Sequence, residues 1–341
     1  MQRKLFVHLW ALLLLLTGFS TAQAANTCTF QTVGDVMTLV GDCTTDSTIP
    51  IPNGKTLDGR NYTITAADPQ GGHFLGAVIK NAGPLANVVN LRITSAGLSN
   101  ADCDGGDNAL RGILFAGASG TIYGNTVSNL NQGASACPEG NAIEVQNGAT
   151  DAGPTVEITS NRVSGFQKTG IVCDGYVSCL VRGNVVGASA VQDNQPVNGI
   201  QIGFGAGAVV ENNDVAGNSW VSLDPLDPYV STAILLHTAA TGTSVRHNNL
   251  MEGNADVGIF VIGSGLIVDN NRVYETGADL NADFVDFGIY SIRGLDLEGR
   301  EDTTTNTLTN NKVRGYVFPY NSPAFTTQAG GNNKATSSPA K

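Results

Sequence analysis

Residues 158–202 contain, twice over, the alternation that decides the fold. Ile158-Thr159-Ser160-Asn161-Arg162-Val163 is followed by Gly170-Ile171-Val172-Cys173, and Val181-Arg182-Gly183-Asn184-Val185-Val186 by Gly199-Ile200-Gln201-Ile202. Working outward, Gly/Ala-Ile-x-apolar recurs at Gly112-Ile113-Leu114-Phe115, Ala142-Ile143-Glu144-Val145, Ala233-Ile234-Leu235-Leu236, Gly258-Ile259-Phe260-Val261 and Gly288-Ile289-Tyr290. Apolar-x-x-Asn-x-Val/Leu also begins at Ile122, Val210, Val245, Val268 and Leu308, with Asn125, Asn213, Asn248, Asn271 and Asn311 as its asparagines. The two signatures alternate strictly at intervals of 23 to 40 residues. Self-similarity at such a period is the mark of a solenoid.

The physics of the unit follows from its parts. On a strand, isoleucine and the residue two later point the same way, so both enter the coil while the residue between them points out. Coils stacked at about 4.8 Å align like positions into inner ladders of Ile, Val and Leu. Asparagine tolerates the left-handed conformation of a sharp turn, and its amide can reach the same asparagine one coil away. Glycine is abundant (42 of 341) and charge sparse (14%), as short strands and tight turns require. The expectation is an all-β protein, a single-stranded right-handed parallel β-helix of about nine coils. It is expected to span residues 52–315, with an N-terminal cap at 25–51 and a polar, flexible tail at 316–341.

These residues resemble the right-handed parallel β-helix repeat proteins, the superfamily of pectate lyases, polygalacturonases and alginate epimerases. The resemblance covers about residues 50–315, and Leu57-Asp58-Gly59-Arg60-Asn61-Tyr62-Thr63-Ile64 looks like the first-coil segment of that group. It implies a protein that binds or processes a polysaccharide or cell-surface glycan. Lyase, epimerase and hydrolase chemistry stay open, because the fold hosts many functions. The Asn-Thr-Asp, Asp-Asp, Gly-His-Gly and Arg-x-Lys motifs of polygalacturonases are missing here, and His73 stands in Gly-Gly-His-Phe. Asp224-Pro225-Leu226-Asp227 has leucine where alginate epimerases carry the histidine of Asp-Pro-His-Asp. The competing reading is a non-catalytic surface, adhesion or structural module.

The chain starts with a basic pair (Arg3, Lys4), an apolar run (Leu5 to Phe19) and Ala22-Gln23-Ala24, the order of a secretory signal peptide over 1–24. A secreted protein with no membrane span after cleavage is expected. The net charge is −11, or −13 once Arg3 and Lys4 leave, which makes nucleic acid and anionic membranes poor partners. An anionic polysaccharide would need local Lys or Arg, or a bridging Ca²⁺, for which no motif stands out; no cofactor is called for. The six cysteines suit an oxidising compartment, and Cys28–Cys43, Cys103–Cys137 and Cys173–Cys179 close the shortest loops. A monomer is expected.

Links before the Ile strand are short at Val163–Gly170 and Leu250–Gly258, and longer at Leu98–Leu110, Ser128–Asn141, Gly187–Asn198, Ala216–Thr232 and Tyr274–Phe287. Insertions on one side of a solenoid often mark its binding side. The outward residues of this strand run Leu114, Glu144, Val172, Gln201, Leu235, Phe260, Tyr290, then Ala116, Gln146, Asp174, Gly203, His237, Ile262. Such a face is covered, by its own loops or by a ligand. Glu144, Asp174 and His237, with Lys168 nearby, are the candidate catalytic groups, since carboxylate pairs hydrolyse glycosides and Lys or His bases deprotonate uronates. Gln146 and Gln201 are candidate substrate contacts, and Trp220 and Tyr229 candidate sugar-stacking rings.

Overall fold

The computed structural model describes residues 26–99, 103–133, 137–148, 153–189, 195–218, 220, 229–252, 255–275, 286–292, 306–320, 328–329 and 333–336. They form a right-handed parallel β-helix, with three sheets of twelve, eleven and ten strands running along its axis. Each coil passes through the first sheet (as at Ser178–Arg182), turns at the asparagine into the second (Val185–Val186), then enters the third (Asn198–Gly203). Rungs stack in register: Ile143 pairs with Ile171, Ile171 with Ile200 and Ile200 with Ile234.

The isoleucines of the third sheet point inward and are fully buried from Ile113 to Ile259. Each such side chain contributes about 1.5–3 kcal/mol by leaving water. The small residue before each isoleucine has its own cause. A Cβ on Gly170 would lie 2.8 Å from Val186 Cγ1, and on Gly199 2.6 Å from Val215 Cγ1. On Gly258 and Gly288 it would lie 2.3 and 2.1 Å from Val273 and Val313. The valine of Asn-x-Val thus fills the space that the glycine of Gly-Ile leaves, so the two signatures are halves of one packing contact.

The asparagines form the expected internal ladder. Asn125, Asn161, Asn184, Asn213, Asn248 and Asn271 each donate Nδ2 to Oδ1 of the next asparagine at 2.9–3.0 Å. Each Oδ1 also accepts the backbone N–H of the previous asparagine, as Asn213 does from Asn184 at 2.9 Å. The left-handed residue, however, is the one before the ladder asparagine: Ser160, Gly183, Asn212, His247, Asn270 and Asn310 have φ of 53–63°. The ladder asparagine keeps an ordinary backbone and turns its amide inward.

Both ends of the coil lie further out than expected. Val36–Leu39, Cys43–Thr45 and Ile49–Ile51 already start the three parallel sheets, so 25–51 is not a separate cap. Only Phe30–Val33 caps the end, as an antiparallel partner of Val36–Leu39. Beyond 315, Tyr316 is fully buried and Phe318–Tyr320 and Lys334–Thr336 add strands. Asn311 hands the ladder on to Asn333 at 3.3 Å. The rest of the expected tail, 321–327, 330–332 and 337–341, lies outside the described residues. The described residues make ten full coils and part of another, against the nine expected. All three disulfides have the expected pairing. The signal peptide lies outside the described residues.

Candidate functional site

Described parts of the inserted loops lie against the start of the third sheet. Leu114, Glu144 and Val172 are buried, although they point out of the coil. Cys103–Cys137 ties two of these loops together, and the carbonyl of Cys137 accepts from Gln167 (2.8 Å) and Gln195 (2.7 Å). Glu139 accepts the N–H groups of Asp104 (2.6 Å) and Leu110 (2.8 Å). It comes within ligand distance of Cys103 and Cys137, but both sulfurs are in the disulfide.

Glu144 belongs to this buried layer. Its Oε2 lies 2.8 Å from Arg111 Nε and accepts from Asn141 Nδ2 at 2.7 Å. Arg111 is held in turn by the carbonyls of Gly106 and Ala109. Buried, ion-paired and hydrogen-bonded, Glu144 does not stand open on the face as expected. Its burial under loops was not visible in a strand pattern that showed only which way it points.

The far end of the strands stays open. Gln146, Asp174, Gly203, His237 and Ile262 occupy equivalent positions in successive coils, all half-buried except Gly203. Gln201 Nε2 reaches Asp174 at 3.3 and 3.4 Å. Burial, reinforced by the Glu144 charge and opposed by the Gln201 hydrogen bond, pushes the Asp174 carboxyl up to about 6. Gly203, buried between Asp174 and His237, leaves room for the Asp174 carboxylate, since a Cβ there would lie 2.8 Å from Asp174 Oδ1. The buried Nδ1 of His237 has no hydrogen-bond partner among the described residues. Cys173–Cys179 clamps the corner that carries Asp174.

Lys168 is not part of this group. It precedes the strand Thr169–Gly175 that ends next to Asp174, so six residues, about 20 Å of extended chain, separate them. Its Nζ donates to the Pro196 carbonyl at 2.6 Å, and burial pushes the ammonium down to about 8. Trp220 is only 3% exposed, so its ring is not open for the expected stacking of a sugar. Tyr229 is well exposed, just before the strand Thr232–His237 and at the opposite end of it from His237.

Two aromatic features escaped the sequence reading. Phe204 is 58% exposed and has φ of 53°, at a corner where equivalent positions hold Gly117 and Gly175. Its ring lies 4.9 Å from that of His237, and exposed Tyr176 stands on the same corner one coil away. Further along the face, Phe260 stacks on Tyr290 (4.9 Å), Tyr290 on Phe287 (4.7 Å), and Phe287 meets Phe318 (5.2 Å). An aromatic where neighbouring repeats carry glycine was the available signal. By contrast, the outer face of the first sheet is an ordinary wet surface, with Glu211 bridging Arg182 (2.9 Å) and Arg246 (2.8 Å).

The disulfides fit an oxidising compartment. No helix among the described residues is long and apolar enough to cross a membrane. Among solved structures, a double mutant of the periplasmic alginate epimerase AlgG is 14% identical with a TM-score of 0.43, covering 84% of this chain and 67% of its own. The Dettilon tailspike protein is 15% identical with a TM-score of 0.41, covering 79% of this chain and 54% of its own. This chain therefore spans about half the length of the tailspike. Comparison with curated proteins gives no match. The family described as "Right handed beta helix region" matches residues 111–337, two thirds of the chain, with the ladder and the open face inside the match. The chain belongs to the right-handed β-helix family.

Proposed function

We propose that this protein is an exported polysaccharide-binding β-helix, which holds a glycan chain along the outer face of its third sheet. One observation carries the reading. On the open part of that face a polar row (Gln146, Asp174, Gln201, His237) runs on, coil by coil, into stacked rings (Phe260, Tyr290, Phe287). Sugars present hydroxyls at their edges and apolar C–H faces between them. Carboxylate, amide and imidazole groups take the hydroxyls, and aromatic rings take the faces. From Asp174 to Ile292 the row spans four rungs, about 19 Å, long enough for several sugar units in line.

The geometry supports binding better than hydrolysis. A hydrolase of the common type places two reactive carboxyl groups across the scissile bond. Here Glu144 is held by Arg111 and Asn141, which leaves Asp174 without a second open carboxylate on its row. Electrophoresis through native gels containing soluble polysaccharides tests the reading. The wild type is retarded by at least one, and a folded Phe204→Ala, His237→Ala variant is not. Equal retardation of the variant would put the site elsewhere, and no retardation across a broad panel would leave a structural or adhesive coil.

A further inference from the structure

The charges on this face select a class of glycan. Among the described residues, its lysines and arginines are engaged within the protein. Lys80, in the row of Leu114, pairs with Asp107 at 2.9 Å. Arg111 is held by Glu144 and two carbonyls, and Lys168 directs its ammonium to Pro196. Asp174, by contrast, stands half-buried at the open end of its strand with its carboxylate against Gly203, and has the Gln201 amide as its one hydrogen-bond donor among the described residues. Glu144 stands one coil away and is close enough to act on Asp174 electrostatically.

We propose that the bound polysaccharide is uncharged, and that the Asp174 position on the row excludes uronate and sulfate chains. The inference rests on the polysaccharide reading above and names the ligand class for that same face. A carboxylate only accepts, so it suits the hydroxyls of a neutral sugar. A second carboxylate brought against this half-buried group meets like-charge repulsion, with His237 the one basic group on the row among the described residues. The net charge of −11 adds a longer-range repulsion that salt would screen. Rejecting the wrong partner by charge is as effective a source of specificity as a better contact to the right one.

The experiment compares affinities for neutral glucans, mannans and galactans with those for polyuronates and sulfated galactans, at 0.15 M salt. Each is measured with added Ca²⁺ and with chelator. His237 is the remaining basic group on the row among the described residues, so the comparison is repeated with His237→Gln. The expected result is binding to neutral chains only, under both ionic conditions. Asp174→Asn should weaken the neutral ligand about tenfold and narrow the margin against its uronate counterpart. A polyuronate bound as tightly as any neutral chain, with or without Ca²⁺, would overturn the charge assignment while leaving the binding face intact. Failure of every chain, neutral and acidic, would overturn the polysaccharide reading itself. An Asp174→Asn variant with unchanged selectivity would also sink the proposal.

Discussion

The ring of Phe204 lies 4.9 Å from that of His237, tilted by 40°, on a backbone with φ of 53°. A bulky residue in the left-handed region costs about 1–2 kcal/mol relative to glycine. More than half of the ring is in solvent, so it recovers little of that by packing. Such a combination is characteristic of a residue kept for what it contacts outside the fold. Phe204→Gly should leave stability unchanged within about 1 kcal/mol, since relief of the left-handed backbone is set against a more flexible unfolded chain. The same variant should lose polysaccharide retention. Thermal denaturation alongside gel retardation checks both, and a large loss of stability with retention intact would make Phe204 a structural residue.

Asn213 sits in the middle of the ladder. It donates to Asn248 Oδ1 (2.9 Å) and the Val181 carbonyl (3.0 Å), and accepts the N–H and amide of Asn184. Asn213→Leu strands those buried partners and should cost about 1–3 kcal/mol. Asp214, exposed and bonded to the Asn249 amide, should cost well under half as much when changed to Ala. Urea denaturation of both variants gives the comparison. Equal costs would contradict an internal ladder.

The ladder also shows what was legible in the sequence. Period-2 patterning revealed which residues face inward, and fixed spacing revealed the asparagines, because both are local consequences of one repeated coil. The cysteine pairing followed from loop length. What lay over the outward face was not local. Glu144 and Gln201 occupy the same position in their strands, yet the first is buried against Arg111 and the second is half-open to Asp174. Loops from other coils make that difference. The position of Lys168 failed for a related reason: closeness in sequence to the Ile strand put it at the wrong end of that strand. Trp220, an aromatic in a long loop, reads identically whether it anchors the loop or faces a ligand.

Asp174 makes stability depend on pH in a stated direction. Its carboxyl is raised in the folded protein from the ordinary 3.8 to about 6. The contribution is therefore fully present below about pH 4 and is lost as pH rises through 6. Asp174→Asn should remove that dependence, so the Tm of the variant relative to wild type should rise between pH 4 and pH 7.5. A Tm difference that is constant over that window would contradict the raised carboxyl.

The claim that a glycan lies along the third sheet is tested most directly by hydroxyl-radical footprinting, with the polysaccharide that retards the protein most strongly. Oxidation should fall at Phe204, His237, Phe260 and Tyr290, and stay unchanged at Tyr123, which is exposed on the outer face of the first sheet. Protection at Tyr123 with Phe204, His237 and Tyr290 oxidised as before would contradict the account.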